Sequence, residues 1–211
     1  MDNACLWRVR LCSAVLASSA LLSLPAFSGD VNLLVQDEQG APVPDAAVYW
    51  LPQTGKAPRG APVGSIAQQG KAFIPYVSVL QVGTAVSFPN RDTVRHHVYS
   101  FSPAKVFDLK LYSGTPAQPV VFDKPGLVVL GCNIHDWMLA YVLIVDTPWF
   151  DVSNESGAAQ VKGLPSGDYR LVVWHPRMKE ESMQQIKVGS APVSQRIRIQ
   201  LSKPDLRKQG G

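Results

Sequence analysis

Short hydrophobic runs recur along the chain, and turn-forming residues separate them. Within the runs, apolar and polar residues alternate or apolar residues are continuous, and helical spacing is almost absent. Their β-branched and aromatic residues suit the pleated surface of a sheet, and Gly, Pro, Asn and Asp fall between them. The clearest runs are VNLLVQD, AAVYWLP, YVSVLQVG, TAVSFPN, RHHVYSF, LVVLGC, LAYVLIVDT, YRLVVWHP and SQRIRIQLS. Many short strands with such punctuation predict an all-β protein of the β-sandwich type.

The beginning of the chain breaks this pattern. Two arginines precede the apolar stretch SAVLASSALLSLPA, and Ala26 and Ser28 are small residues that come just before Gly29. A basic start, an apolar middle and a small-residue end are typical of a secretory signal peptide, here with cleavage ahead of Gly29. The alternative is an uncleaved anchor, although the apolar stretch is short for a spanning helix. We therefore expect a periplasmic protein with no membrane span after cleavage.

The turn-rich stretches divide the chain into five predicted parts. A signal peptide over 1–28 precedes an opening β-hairpin and loop over 29–60. The candidate chemistry described below falls within 61–147, and a further β-module with the strand GLPSGDYRLVVWHP occupies 148–205. The tail over 206–211 is predicted to be disordered. The pattern leaves open with which of the two modules the opening segment packs.

Composition and charge fit an ordered globular protein and exclude some partners. Of the 211 residues, 46% are hydrophobic and 17% are charged, which is enough to bury a core. Residues 1–28 hold two of the 20 basic and one of the 16 acidic residues, so the mature chain carries a net charge of +3. The basic residues are scattered except near the C-terminus, so we expect no nucleic-acid partner.

Removal of the signal peptide leaves a single cysteine. Cys5 and Cys12 lie in the predicted signal peptide, and Cys132 is the only cysteine beyond it. An exported protein with one cysteine has no internal disulfide. A lone thiol in an oxidising compartment is a liability unless it is buried or bound to a metal. Cys132 is therefore either an inert core residue or a ligand.

The residues around this cysteine have the spacing of metal ligands. In LGCNIHDWM, Cys132, His135 and Met138 lie three residues apart, and His96 opens a strand upstream. A copper centre for electron transfer uses two imidazoles and a thiolate as strong donors and a thioether as a weak axial donor. Alternation along GLVVLGC also points the cysteine inward. The predicted metal site holds one copper ion and consists of His96, Cys132, His135 and Met138.

These segments resemble the cupredoxins, in particular the short-loop kind that includes amicyanin and pseudoazurin. VSFPNRDTVRHHVYSF is similar to their first-ligand segment, and PGLVVLGCNIHDWM is similar to their closing strand and ligand loop. In that register His96 rather than His97 takes the ligand place. The resemblance implies a Greek-key cupredoxin-like β-sandwich, type 1 copper and outer-sphere electron transfer. The chain also resembles exported proteins labelled methylamine-utilisation proteins.

The flanks resemble a second family, the carboxypeptidase regulatory-like or transthyretin-like module, which is not catalytic. The segments VNLLVQDEQGAPVPDAAVYW and ESGAAQVKGLPSGDYRLVVWHP carry this likeness. It implies a second, smaller β-sandwich module beside the cupredoxin-like one.

Several alternatives stay open at the predicted site. Cupredoxins usually have Asn after the first ligand histidine, and here that residue is His97, which is free to compete for the metal. Asn90 and Asn133 are candidates for bracing the ligand loop, and Met138 is also suited to a core. Trp137 and Trp149 are suited either to a docking surface or to capping the sandwich. A second copper site at His175, Met178 and Met183 is considered but not favoured.

These observations predict an electron carrier rather than an enzyme, because no nucleophilic triad or paired acid and base is visible. The expected partner is a transient one, such as a dehydrogenase or a cytochrome. One alternative is a non-redox module for copper delivery or sensing. Others are a structural β-sandwich with a vestigial site and a zinc site made of one cysteine, two histidines and water.

Overall fold

The computed structural model describes residues 28–205, and all of their regular structure is β-strand. The predicted signal peptide and the predicted tail lie outside the described residues, apart from Ser28, which begins the first strand. None of the described residues belongs to a helix long and apolar enough to cross a membrane.

The strands form four main sheets and one small ribbon. The first outer sheet has the order β14-β1-β17, with β14 Ala158–Pro165, β1 Ser28–Gln36 and β17 Val193–Arg198. The first inner sheet has the order β13-β2-β15-β16, with β13 Phe150–Val152, β2 Ala47–Pro52, β15 Gly167–Trp174 and β16 Ser182–Val188.

The remaining strands come from the middle of the chain. The second inner sheet has the order β6-β12-β11-β8-β9, with β6 Val77–Gln81, β12 Leu139–Val145, β11 Gly126–Gly131, β8 His96–Ser102 and β9 Lys105–Tyr112. The second outer sheet has the order β10-β7-β3, with β10 Val120–Phe122, β7 Thr84–Ser87 and β3 Val63–Ser65. The ribbon pairs β4 Ala67–Gln68 with β5 Phe73–Ile74.

Three hydrophobic cores hold these sheets together in layers. One core lies between the first outer and first inner sheets and includes Val31, Trp50 and Leu171. A second lies between the two inner sheets and includes Tyr49, and a third lies between the second inner and second outer sheets and includes Leu130. The fold is therefore all-β, with two sandwiches that share a hydrophobic interface.

Burial on both faces explains the continuous apolar runs of the inner strands. In β12, Ala140, Val142 and Ile144 face the third core, and the alternate residues Leu143 and Val145 face the core between the inner sheets. The outer strand β1 alternates instead, with buried Val, Leu and Val separated by partly exposed residues. Since side chains of a strand point alternately to its two faces, a strand in an inner layer needs apolar residues on both.

The opening segment departs from the predicted hairpin. β1 pairs with β14 and β17, whereas β2 pairs with β13 and β15, so the two strands lie in different sheets. The apolar faces of β1 and β2 meet across one core, because two strands in opposed sheets bury more apolar surface against each other than two strands side by side in one sheet. The opening segment thus pairs with strands of the last third of the chain, and the domain boundaries themselves stay a prediction.

Candidate metal centre

The predicted ligands come from two adjacent strands and one loop of the second inner sheet. His96 opens β8, and Cys132 directly follows β11, which runs antiparallel beside β8. His135 lies in the connection to β12, and Met138 is the last residue before that strand. The antiparallel pairing brings the end of one strand close to the start of the other, so residues far apart in sequence meet at one edge of the sheet.

Three of the four predicted ligands converge. One potential ligand atom each of His96, Cys132 and His135 lies within 4.8 Å of the other two. The Sγ of Cys132 is 3.8 Å from Nδ1 of His135, and the two imidazole rings have centroids 5.0 Å apart. Donors bound to one small metal ion at bond lengths of about 2.0–2.3 Å are themselves separated by roughly 3–4 Å. The distance between Cys132 and His135 lies in that range, and the cluster as a whole is slightly wider.

The two strand ligands are buried in the core of the sandwich. His96 has no exposed surface, and Cys132 is 3% exposed among Val128, Leu130 and Ala140. The inward direction predicted for the cysteine is therefore confirmed. An apolar environment keeps oxidants and water away from a thiolate.

The orientation of His96 leaves one ring nitrogen available for a metal. Its Nε2 lies 2.8 Å from Oδ2 of Asp92, and its Nδ1 is buried without a hydrogen-bond partner among the described residues. An ionised carboxylate only accepts, so Nε2 carries a proton and, in the neutral imidazole, Nδ1 carries the lone pair. A buried polar atom without a partner is costly and rare. A metal ion bound by these residues would satisfy it, so the donor set fits a metal.

Asp92 is a residue of the candidate site that the sequence analysis missed. Its carboxylate also accepts hydrogen bonds from the backbone N–H groups of Gly70 and Lys71, at 2.7 and 2.9 Å. Burial by itself raises the pKa of Asp92, but the hydrogen bonds from Lys71, His96 and Gly70 outweigh it and lower the pKa. A carboxylate that fixes the second nitrogen of a ligand histidine sets its tautomer and ring orientation. The available signal was an aspartate four residues before the histidine, inside a turn.

Asn90 holds the turn that carries this aspartate. Its side chain donates to the carbonyl groups of Val94 and Tyr112, at 2.8 and 2.9 Å, and its Oδ1 accepts from the backbone N–H of Asp92 at 2.9 Å. Asn133, the other bracing candidate, is exposed and makes no side-chain hydrogen bond within residues 28–205. Asn90 therefore acts on the histidine side of the site rather than on the ligand loop.

The ligand loop is closed by a tight turn. The N–H of Met138 donates to the carbonyl of His135 at 2.9 Å, and Met138, 2% exposed, belongs to the same core cluster as Cys132. Burial lowers the pKa of His135, with His96 and Lys71 adding to the effect and Asp92 opposing it. The His135 imidazole is thus neutral at neutral pH and offers a lone pair.

His97 lies on the opposite face of the strand from His96. Side chains alternate along β8, and the Nε2 of His97 is hydrogen-bonded to Asp108 of the neighbouring β9. Its ring also contacts Tyr99 edge to face, with centroids 5.5 Å apart. His97 is not part of the cluster that His96 forms with Cys132 and His135.

The other residues weighed at the sequence level have separate places. Trp137 is 45% exposed, and its ring centroid lies 5.3 Å from that of His135. Trp149 packs against the core of the other sandwich. His175 accepts a hydrogen bond from the backbone of Arg177 through Nδ1, Met178 is buried in that same core, and Met183 is exposed on β16.

Solved structures that are similar to this chain include cupredoxins and a copper-containing nitrite reductase, and the three described here each cover less than half of this chain. A purple cupredoxin from Nitrosopumilus maritimus is 22% identical, with 39% of this chain and 99% of that chain covered and a TM-score of 0.34. A reduced amicyanin variant is 12% identical, with 46% and 99% covered and a TM-score of 0.36. A copper-containing nitrite reductase from Thermus scotoductus is 26% identical, with 45% of this chain and 25% of that chain covered and a TM-score of 0.37.

Two further comparisons give no match. No family model matches the chain, and no curated protein does.

Proposed function

We propose that this protein holds one copper ion at His96, Cys132, His135 and Met138 and carries single electrons between redox partners. The observation that supports this most directly is the buried Nδ1 of His96, which has no hydrogen-bond partner within residues 28–205. This histidine is clustered with the thiol and the second imidazole. Two imidazoles and one thiolate are the equatorial set of an electron-transfer copper centre, and a weak thioether completes it.

The residues around the site favour a fixed donor geometry. Copper, when bound, supplies a one-electron couple between Cu(I) and Cu(II). The chain supplies donors that stay in place: the Asp92 carboxylate fixes His96, and the core of the sandwich encloses Cys132. A shell held by buried side chains and hydrogen bonds limits the rearrangement that a change of charge would otherwise cause.

The exposed side of the site is the route that we propose for the electron. His135 is the least buried of the three clustered ligands, and Ile134 and Trp137, 46% and 45% exposed, flank it in the loop. A small apolar surface suits a brief encounter with a dehydrogenase or a cytochrome. The predicted signal peptide supports a periplasmic location, and we propose a carrier rather than an enzyme.

The visible absorption spectrum of the mature protein with Cu(II) tests this proposal, with the Cys132→Ser variant beside it. We expect an intense thiolate-to-copper band in the unaltered protein and none in the variant. A folded protein that binds copper without such a band would refute the proposal. Tight Zn²⁺ binding with no copper band would instead favour the zinc site.

The axial ligand and the function have their own tests. Met138→Gln should keep the copper band and lower the reduction potential, because the axial donor tunes the potential. An unchanged potential would remove Met138 from the axial role. Fast loss of Cu(I) to a chelator would favour copper delivery over electron transfer, since a buried thiolate should release copper slowly.

A further inference from the structure

A cleft lies at the junction of the two sandwiches, and none of the candidate metal ligands lines it. Its volume is about 510 Å³, within the range of small-molecule sites. Tyr141 of β12 and Trp174 of β15 belong to the two inner sheets, and Tyr76 immediately precedes β6. Ligand sites often form where two such modules meet. The remaining walls are Leu127, Pro176, Met178, Lys179, Glu180, Glu181, Lys203 and Pro204.

Three aromatic rings in the wall stand at steep angles to one another. Tyr76 and Tyr141 pack edge to face, with centroids 5.5 Å apart and an interplanar angle of 89°. Tyr141 and Trp174 have centroids 5.6 Å apart and an angle of 61°. An edge-to-face contact occupies a face of only one ring of the pair, whereas stacking occupies a face of each. All three side chains are only partly buried, so ring surface is available to a ligand in the cleft.

Acidic and basic residues are equal in number in the lining of the cleft, and Asp205 near Tyr141 adds one negative charge. Glu180 and Glu181 line the cleft, and Glu181 lies 3.3 Å from the hydroxyl of Tyr49. Burial raises the pKa of Tyr141, a hydrogen bond with Tyr76 opposes the rise, and the nearby Asp205 adds to it. The two basic residues are lysines, and their side chains are exposed to water like those of both glutamates. The faces of aromatic rings attract cations, and the carboxylates act in the same direction.

We propose that this cleft binds a small organic cation with an alkylated ammonium group. The aromatic rings would contact the alkyl groups and the charge, and the carboxylates at the rim would supply attraction at longer range. A neutral molecule of the same shape gains only the apolar contact. An anion gains no attraction from the faces of the rings.

Choline is the probe that tests this proposal, and dimethylbutanol, in which carbon replaces the nitrogen of choline, is its neutral control. Each is titrated by calorimetry into the complete mature protein, with and without copper. We expect choline to saturate in the millimolar range and to bind at least roughly tenfold more tightly than the alcohol. Equal affinities, or no saturation by choline below about 100 mM, would overturn the proposal.

Variants then assign the binding to this cleft. Trp174→Leu keeps an apolar side chain without the indole ring and should weaken choline binding by roughly three- to tenfold. Phe101→Leu removes an exposed aromatic ring that does not line the cleft and should leave the affinity unchanged. Because Trp174 packs on the core between the inner sheets, Glu180→Gln at the exposed rim gives a test that does not threaten folding. Choline binding that is the same in all of these variants would overturn the assignment.

Discussion

Replacing Asp92 by alanine removes the acceptor of three hydrogen bonds at once. The Nε2–H of His96 loses its partner in a fully buried position, which costs roughly 1–3 kcal/mol. The N–H groups of Gly70 and Lys71 are exposed, so water replaces the carboxylate there, at a cost of about 0.5 kcal/mol each. We therefore expect the metal-free protein to lose about 2–4 kcal/mol of unfolding free energy.

The same variant should weaken copper binding. Without the carboxylate, nothing fixes the ring of His96 with Nδ1 toward Cys132 and His135. Loss of such a supporting residue typically lowers metal affinity by about 10–100-fold. Denaturant unfolding of the metal-free protein measures the first effect, and copper competition against a chelator of known affinity measures the second.

The chain contains a matched control for this experiment. Asp108 also pairs with a histidine, His97, but on the outer face of the sheet with half of its side chain exposed. Asp108→Ala should cost less than about 1 kcal/mol and leave copper affinity unchanged. Asp92→Asn should have a smaller effect than Asp92→Ala, because its amide oxygen can accept from His96 and Lys71 in place of Oδ2, while its NH₂ group faces only the N–H of Gly70. Equal behaviour of Asp92→Ala and Asp108→Ala in both assays would refute the role given to Asp92.

Three further predictions follow from the contacts around the two inner sheets. Gly131→Ala should destabilise the protein by about 1 kcal/mol, since the added carbon would lie 2.7 Å from the ring of Tyr99. In a double-mutant cycle, the same substitution should cost little in a Tyr99→Ala background. If the two substitutions destabilise the protein additively, the clash with Tyr99 is not the cause. Burial and then the carboxylate of Glu181 raise the pKa of Tyr49, so its contribution to stability is complete below the unfolded pKa near 10 and is lost as the pH rises above it. In unfolding curves measured at a series of alkaline pH values, Tyr49→Phe should lose less unfolding free energy with rising pH than the unaltered protein. An equal dependence on pH in the two proteins would argue against this role of Tyr49. His97→Ala should leave the copper band in place, because this histidine lies on the other face of β8 from His96. If Cu(II) titrated into the variant gives no copper band, His97 is a ligand.

Local features of the sequence were sufficient for part of this description. The alternation in GLVVLGC placed Cys132 on the inward face, because the pleat of a strand fixes the direction of successive side chains. The three-residue spacing of Cys132, His135 and Met138 likewise kept these residues in one short loop. The all-β fold followed from strand periodicity and turn residues in the same way.

What the sequence alone did not determine depends on residues far apart in the chain. Whether β1 and β2 pair or lie in opposite sheets is decided by the apolar surface that the whole chain can bury, and both arrangements satisfy the local pattern. The role of Asp92 depends on N–H groups of residues 70 and 71 and on a turn held by Asn90. The aromatic cleft likewise exists only because β12 and β15, from different sandwiches, pack against each other. Strand direction is a local property of the backbone, whereas the partners of a buried polar group are set by the tertiary packing.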